Sequence, residues 1–228
     1  MPLHRATLTR ATLNRATLTR ATRLCLLLAL LAGAGLAHPA EQIMPKPSES
    51  KPSESKPSGL KSGVFDPPRL APDFTLSGSD GSALTLSRYR GKLVLLEFGY
   101  TSCVDVCPVS LAVLAAARQK LGPLAGAVQV IFITVDPQRD SAAHLRSYLA
   151  AFDPSFVGAT GTPEQLARVR QDYGISTTRH QVAGSNAYTI GHASYLYLID
   201  RQGSLRALMP FGRSADDVVH DATILLGK

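Results

Sequence analysis

Two cysteines four residues apart, in "EFGYTSCVDVCPVS" (residues 97–110), are the residues of this chain best suited to chemistry. Of the three cysteines in the sequence, Cys25 begins an apolar N-terminal run and reads as an incidental apolar residue. That leaves Cys103 and Cys107, the second followed directly by Pro108. A plain structural disulfide would close only a tiny loop and remove little entropy from the unfolded chain. Cβ atoms four residues apart on a helix are about 5–6 Å from one another, whereas a disulfide wants about 3.5–4.5 Å. A bridge here would be strained and reducible, and a metal fits the wider gap more easily. Thiolates at a helix N-terminus are soft donors of lowered pKa, and soft sulfur selects Cu(I) or zinc. Structural zinc wants four protein ligands. The rest of the domain offers four histidines: His144, His180, His192 and His220. His144 and His220 fall in predicted helices and read as exposed. His180 lies in a long polar loop, "TTRHQVAGSNAYT". His192 stands directly before the strand "SYLYLID", where the chain can return beside the cysteine loop, and it is the preferred third donor.

The elements that must position these groups are legible from pattern. "KLVLLEFGY" and "VQVIFITVD" are continuous apolar runs, as strands buried on both faces require. Pro108 opens a helix to about Leu121, with Val109, Leu111, Ala112, Leu114 and Ala115 on its apolar side and Cys107 as N-cap. "RDSAAHLRSYLAAF" is a helix capped by Asp140 or Ser141. "TPEQLARVRQDYG" carries Thr162 as cap, Pro163 in the first turn, Gln165 at the capping-box position and Gly174 as stop. "DFTLSGSDGSALTLS" predicts a hairpin about Asp80-Gly81, and "SYLYLID" with "SLRALMPF" a second about Arg201-Gln202-Gly203. "SADDVVHDATILLG" is the last helix. Strands alternating with helices, then a hairpin and a helix, predict an α/β layer fold with a mixed central sheet and an added N-terminal β-hairpin.

The remainder of the chain bounds where this domain works. The 228 residues suffice for one domain with extensions. The formal charge of +7 is concentrated at the N-terminus, where residues 1–37 hold five arginines and no acid. The basic balance therefore gives no argument for nucleic acid, and neither a zinc-finger framework nor an aromatic-rich basic stripe is present. The apolar run Leu24 to Ala37 is short for a membrane span and fits an export signal cleaved after Ala37; an uncleaved anchor is the alternative. "PKPSESKPSESKPSG" repeats Pro, Ser, Lys and Glu with no apolar residue to bury, and predicts a disordered tether. The expected organisation is a signal peptide or anchor over 1–37, a tether over 38–65 and a folded domain over 66–228.

Three stretches, "FGYTSCVDVCP", "ITVDPQRDSAAHLRSYLAAFDPSFVGATG" and "HASYLYLIDRQG", resemble in order the SCO/SenC family of copper chaperones. The resemblance covers nearly all of 66–228. It implies a thioredoxin-like fold tethered at a membrane, delivering copper to the dinuclear centre of cytochrome c oxidase subunit II. The family's ligands carry over to Cys103, Cys107 and His192, holding Cu(I), or Cu(II) with a water or further ligand. The family usually has Pro where this chain has Val104, and Asp where it has Gly191; neither change removes a donor, and the second bears on how the histidine is oriented. Oxidoreductases of the thioredoxin type use CxxC and a cis-proline before the strand, where this chain has Ser194. The same resemblance admits an enzyme, a thiol–disulfide reductase using Cys103 and Cys107 to keep oxidase cysteines reduced. A copper-donor chaperone or a thioredoxin-like reductant would be a further partner. The implied location is exported, in the periplasm or at the outer face of the cytoplasmic membrane.

Overall fold

The computed structural model describes residues 59–228; the apolar N-terminal run and the Pro/Ser repeat through Ser58 lie outside the described residues. In chain order the strands are β1 (Gly63–Leu70), β2 (Thr75–Gly78), β3 (Ala83–Thr85), β4 (Leu93–Gly99), β5 (Val128–Thr134), β6 (Val157–Thr160), β7 (Thr177–Gln181), β8 (Tyr188–His192), β9 (Tyr195–Ile199) and β10 (Ser204–Pro210). The helices are α1 (Val106–Leu121), α2 (Ala142–Ala150), α3 (Pro163–Asp172) and α4 (Ala215–Leu225).

One eight-stranded sheet runs β1-β10-β9-β4-β5-β6-β2-β3. Its centre is the parallel pair β4 and β5, matched from Leu93↔Val128 to Gly99↔Thr134, with every residue of both strands buried. Such strands must be apolar on both faces because helices cover both. Along β4 the faces alternate. Leu93 and Leu95 join the core beneath α1, α2 and α4; Val94, Leu96 and Phe98 join the opposite core with Leu166 and Val169 of α3. Glu97 and Gly99 fall on the α1 face by the same period of two. The sheet is mixed, as expected: β6 extends β5 in parallel, whereas β9 pairs antiparallel with β4.

Both expected hairpins form, and α3 carries the Thr162–Gln165 capping box, with Gly174 at φ +71 as stop. Four expectations need correction. The structured unit begins before Asp66. The N–H groups of Lys61 and Ser62 and the Ser62 hydroxyl donate to Asp221 of α4 at 2.8, 3.0 and 2.5 Å, and β1 pairs with β10 from Gly63↔Leu208 to Leu70↔Ser204. The strand was hidden because Pro67-Pro68 interrupts any alternating pattern, and its order comes from a buried carboxylate that needs donors. The supposed polar loop holding His180 is a separate β7–β8 hairpin, whose exposed faces leave no hydrophobic periodicity to read. Val109 is 49% exposed and Ala112 is exposed; the buried face of α1 instead includes Cys107, Ala117 and Leu121. Finally, Asp105 is the N-cap of α1, so Cys107 lies inside the first turn.

Candidate metal centre

The cysteine loop joins the carboxyl end of β4 to α1. It is held from below by Asp140, which is fully buried. Asp140 accepts from the Thr101 N–H (3.1 Å) and hydroxyl (2.5 Å), and from the Thr134 hydroxyl at the end of β5 (2.6 Å). Ser141, not Asp140, caps α2, accepting from the His144 N–H at 3.2 Å. The His144 ring, exposed as expected, lies 3.0 Å from the Thr101 hydroxyl.

Asp105 makes no side-chain cap bond, so the first N–H groups of α1 are open to another acceptor. That acceptor is Cys103. Burial pushes its thiol up, but hydrogen bonds from the N–H groups of Cys107, Asp105 and Val106 and from the Cys107 thiol outweigh it, and the net direction is down. Cys107 goes the other way: burial raises it, and the neighbouring Cys103 and Glu97 charges add to the rise. Cys107 packs over Gly99, where a Cβ would stand 2.9 Å from its sulfur and 2.6 Å from the Phe132 ring. Glycine is therefore required at 99 for the helix to seat its cysteine against the sheet. Both cysteines are free thiols, Cys107 buried and Cys103 partly exposed.

His192 ends β8. Its Nδ1 donates to the Ala193 carbonyl at 3.0 Å, which leaves the Nε2 lone pair available as a ligand. The ring meets Tyr100 edge-on, with centroids 6.4 Å apart. Tyr100 belongs to the segment that leads into Cys103, whose N–H donates to its carbonyl at 3.2 Å; its hydroxyl accepts from the Ile190 N–H at 3.2 Å. Burial and the charges of both cysteines raise the Tyr100 phenol, the Ile190 hydrogen bond opposing them. Tyr100 thus touches both halves of the expected site. The two thiols are close enough to shift one another's ionisation, but among the described residues no three Cys, His, Asp or Glu side chains stand close enough to hold a metal. His192 therefore does not join the two sulfurs in a preformed three-donor cluster.

The hairpin that carries His192 is clamped at the other end of the same strand, β8. The Tyr188 ring lies between two guanidinium groups, Arg139 at 3.8 Å and Arg179 at 3.5 Å. The Tyr188 hydroxyl donates to Asp136 at 2.8 Å, Arg139 donates to the Tyr188 carbonyl at 3.1 Å, and Arg139 is ion-paired with Asp136. Sequence reasoning did not assign Tyr100, Asp136, Arg139, Asp140 or Tyr188 to the site; the signal available for Asp136, Arg139 and Asp140 was a set of charged residues directly after a fully buried strand. His180 projects from β7 beside Gly191, where a Cβ would lie 3.2 Å from its Nε2. Gly191, the departure from the family pattern, is thus occupied by a neighbouring imidazole. His220 sits away from the loop on α4, 2.9 Å from Asp221. Val104 is 95% exposed. The bond before Ser194 is trans, the cis peptide among the described residues being Asp66–Pro67.

The same fold recurs in known proteins. The SCO1/SenC family profile matches residues 64–226. An SCO2-like protein of Rickettsia conorii is 34% identical over 139 residues, covering 60% of this chain and 68% of that one. The mitochondrial SCO2 homologue of Mus musculus is 34% identical over 149 residues, 64% of this chain and 58% of its own length. Among solved structures, ScoI of Bradyrhizobium japonicum with copper bound is 34% identical, with TM-score 0.63 over 68% of this chain and 98% of that one. The apo Sco1 protein of Thermus thermophilus is 35% identical, with TM-score 0.66 over 73% and 97%. The thioredoxin-like fold of these structures is the fold described above, and with a family match spanning nearly the whole described domain, this chain belongs to the SCO1/SenC family.

Proposed function

We propose that this protein is a metallochaperone that carries copper on Cys103, Cys107 and His192 and delivers it to the dinuclear centre of cytochrome c oxidase subunit II. Sco proteins are cytochrome c oxidase assembly proteins, and relatives from Bradyrhizobium japonicum and Arabidopsis thaliana were solved with copper bound. The observation that carries the reading is the Cys103 sulfur, gathered by three helix N-terminal N–H groups beside the Cys107 thiol. This arrangement favours a thiolate, the form that binds soft metal. His192 is carried on a separate hairpin, packed on the residue that leads into the loop. Capture then couples hairpin closure to metal entry, and release reverses it by ligand exchange with the recipient's own thiolates. Copper is cargo, received from a donor chaperone.

The opposed directions of the two cysteine pKa values favour a second role, thiol–disulfide reductase. A partly exposed thiolate attacks, and a buried thiol is held back until the mixed disulfide forms. A thioredoxin-like reductant would then restore the dithiol. Copies of the family are mitochondrial in mouse and a lipoprotein in Bacillus anthracis. The corresponding place for this chain is the outer face of a membrane, reached by export through the segment ending at Ala37.

Anaerobic Cu(I) titration of reduced wild type and His192→Ala, with ligands read by X-ray absorption, separates the roles. Capture by three donors predicts one Cu(I) on two sulfurs and one nitrogen, and at least a tenfold loss of affinity on removing His192, about 1.4 kcal/mol. Dithiol exchange should survive the same substitution. Equal Cu(I) affinity in wild type and His192→Ala would sink the three-donor site.

A further inference from the structure

Glu97 is the anomaly of the central sheet. It lies on the α1 face of β4, one pleat from Gly99, in a strand otherwise wholly apolar. Its side chain is 3% exposed. The Ser110 hydroxyl reaches one carboxyl oxygen, but Oε2 is buried with no partner. A buried polar oxygen left unpaired costs about 1–3 kcal/mol, so its retention in an apolar strand calls for an occupant. The carboxyl forms part of the lining of a cavity of about 140 Å³ between α1, the start of β9, the end of β10 and α4. The walls include Val113, Leu114, Leu196, Met209 and Val218. Val109, Tyr195 and Phe211, also in the lining, are 49%, 40% and 44% exposed.

The size and lining define the ligand. A cavity of about 150 Å³ with apolar walls accepts a benzene ring. Arg213 also lines the cavity, but an apolar ring alone would leave Oε2 unpaired, and a ligand carboxylate set on Oε2 would face another carboxyl. A hydroxyl both donates and accepts, so it can pair with Glu97 whether the carboxyl is ionised or protonated. We propose that this cavity is a binding site for a phenol-sized aromatic hydroxyl group, its ring against Leu114, Leu196 and Val218 and its O–H on Glu97 Oε2. The cavity lining contains none of Cys103, Cys107 and His192, and its link to them is the effect of Glu97 on the Cys107 thiol.

The test is titration of the full-length protein with phenol, benzene and N-acetyltyrosine amide, following methyl NMR shifts of Leu114, Leu196 and Val218. Phenol should give saturable shifts and bind roughly tenfold more tightly than benzene, since benzene leaves the oxygen unpaired. Glu97→Leu should abolish that preference, and Val113→Phe, which fills the cavity from α1, should abolish binding of both. Circular dichroism checks that each variant folds. Binding of phenol but not the tyrosine amide assigns the site to a free phenolic compound; tighter binding of the amide assigns it to a tyrosine of a partner polypeptide. Absence of saturable shifts with either hydroxyl ligand, or equal affinity for phenol and benzene, overturns the proposal and leaves water as the occupant of Oε2. Neither result touches the copper titration.

Discussion

Cys103 and Cys107 are chemically unequal although they share one turn of chain. The first helix N–H groups converge on Cys103, while Cys107 is pressed against Gly99 inside the core. Iodoacetamide at neutral pH should therefore modify Cys103 at least about tenfold faster than Cys107, because the thiolate is the reactive form. Peptide mapping after brief alkylation reads this directly; equal labelling would mean that the helix terminus does not control the thiol. Glu97 gives a second test at this scale. Burial pushes its carboxyl up to about 8 from an ordinary 4.5, with Ser110 pulling modestly down. Between those two values the folded protein holds a proton that the unfolded chain releases, so this group makes stability fall as pH rises from about 4.5 to about 8 and adds no slope beyond. Glu97→Gln should remove that fall, which amounts to about 1.4 kcal/mol for each pH unit crossed inside the window. Urea unfolding of both proteins at pH 5 and pH 8 measures it, and an unchanged slope in the variant would place the titration elsewhere.

Among the elements, the β7–β8 hairpin matters most, because it carries His192 and belongs to its own two-stranded sheet. Its hold on the domain combines the packing of Ile190 against the core with a few polar contacts, among them the Arg139–Tyr188 stack, the Tyr188–Asp136 hydrogen bond and the Ile190–Tyr100 hydrogen bond. Arg139→Lys keeps the charge but loses the planar stacking group and the fork of donors. Amide exchange across Thr189–His192 should then quicken about tenfold while β4 and β5 keep their protection. Hydrogen-exchange mass spectrometry distinguishes this from general destabilisation, in which both regions would quicken together. The same hairpin marks the limit of what pattern can show. The buried strands, the helices and the capping box were legible because burial imposes periods and caps impose residue types. The hairpin was not, since exposed strands with polar faces have no reason to alternate. The cysteines and His192 could be named from type and spacing, but Asp136 and Arg139 serve the hairpin through Tyr188, and Tyr100 through Ile190, residues far away in sequence. Charged residues after a buried strand were there to be read, but the partners they reach were not.

The whole domain is closed by its first and last elements. Asp221 of α4 is fully buried and gathers the N–H groups of Lys61 and Ser62 and the Ser62 hydroxyl. Asp221→Ala should cost roughly 3 kcal/mol, since several donors lose their partner at once. Deleting residues 46–58 should leave the melting temperature alone, whereas extending the deletion through Ser62 should lower it as Asp221→Ala does. Differential scanning calorimetry of the three proteins checks both statements. A fall on the shorter deletion would mean that the Pro/Ser repeat packs on the domain.

The registers of β1 and β10 also fix where the chain enters. β4 runs toward the cysteine loop; β9 starts at that end, with Leu196 opposite Glu97, and β10 returns to it, with Pro210 opposite Tyr195. Gly63 lies opposite Leu208, so β1 begins at the same end and runs away from it. The first strand is thus entered from the cysteine end of the sheet, not from its back. Under the proposed tethering, a recipient at the anchoring surface would face the cysteine end of the sheet, and the domain would not have to turn over to meet it.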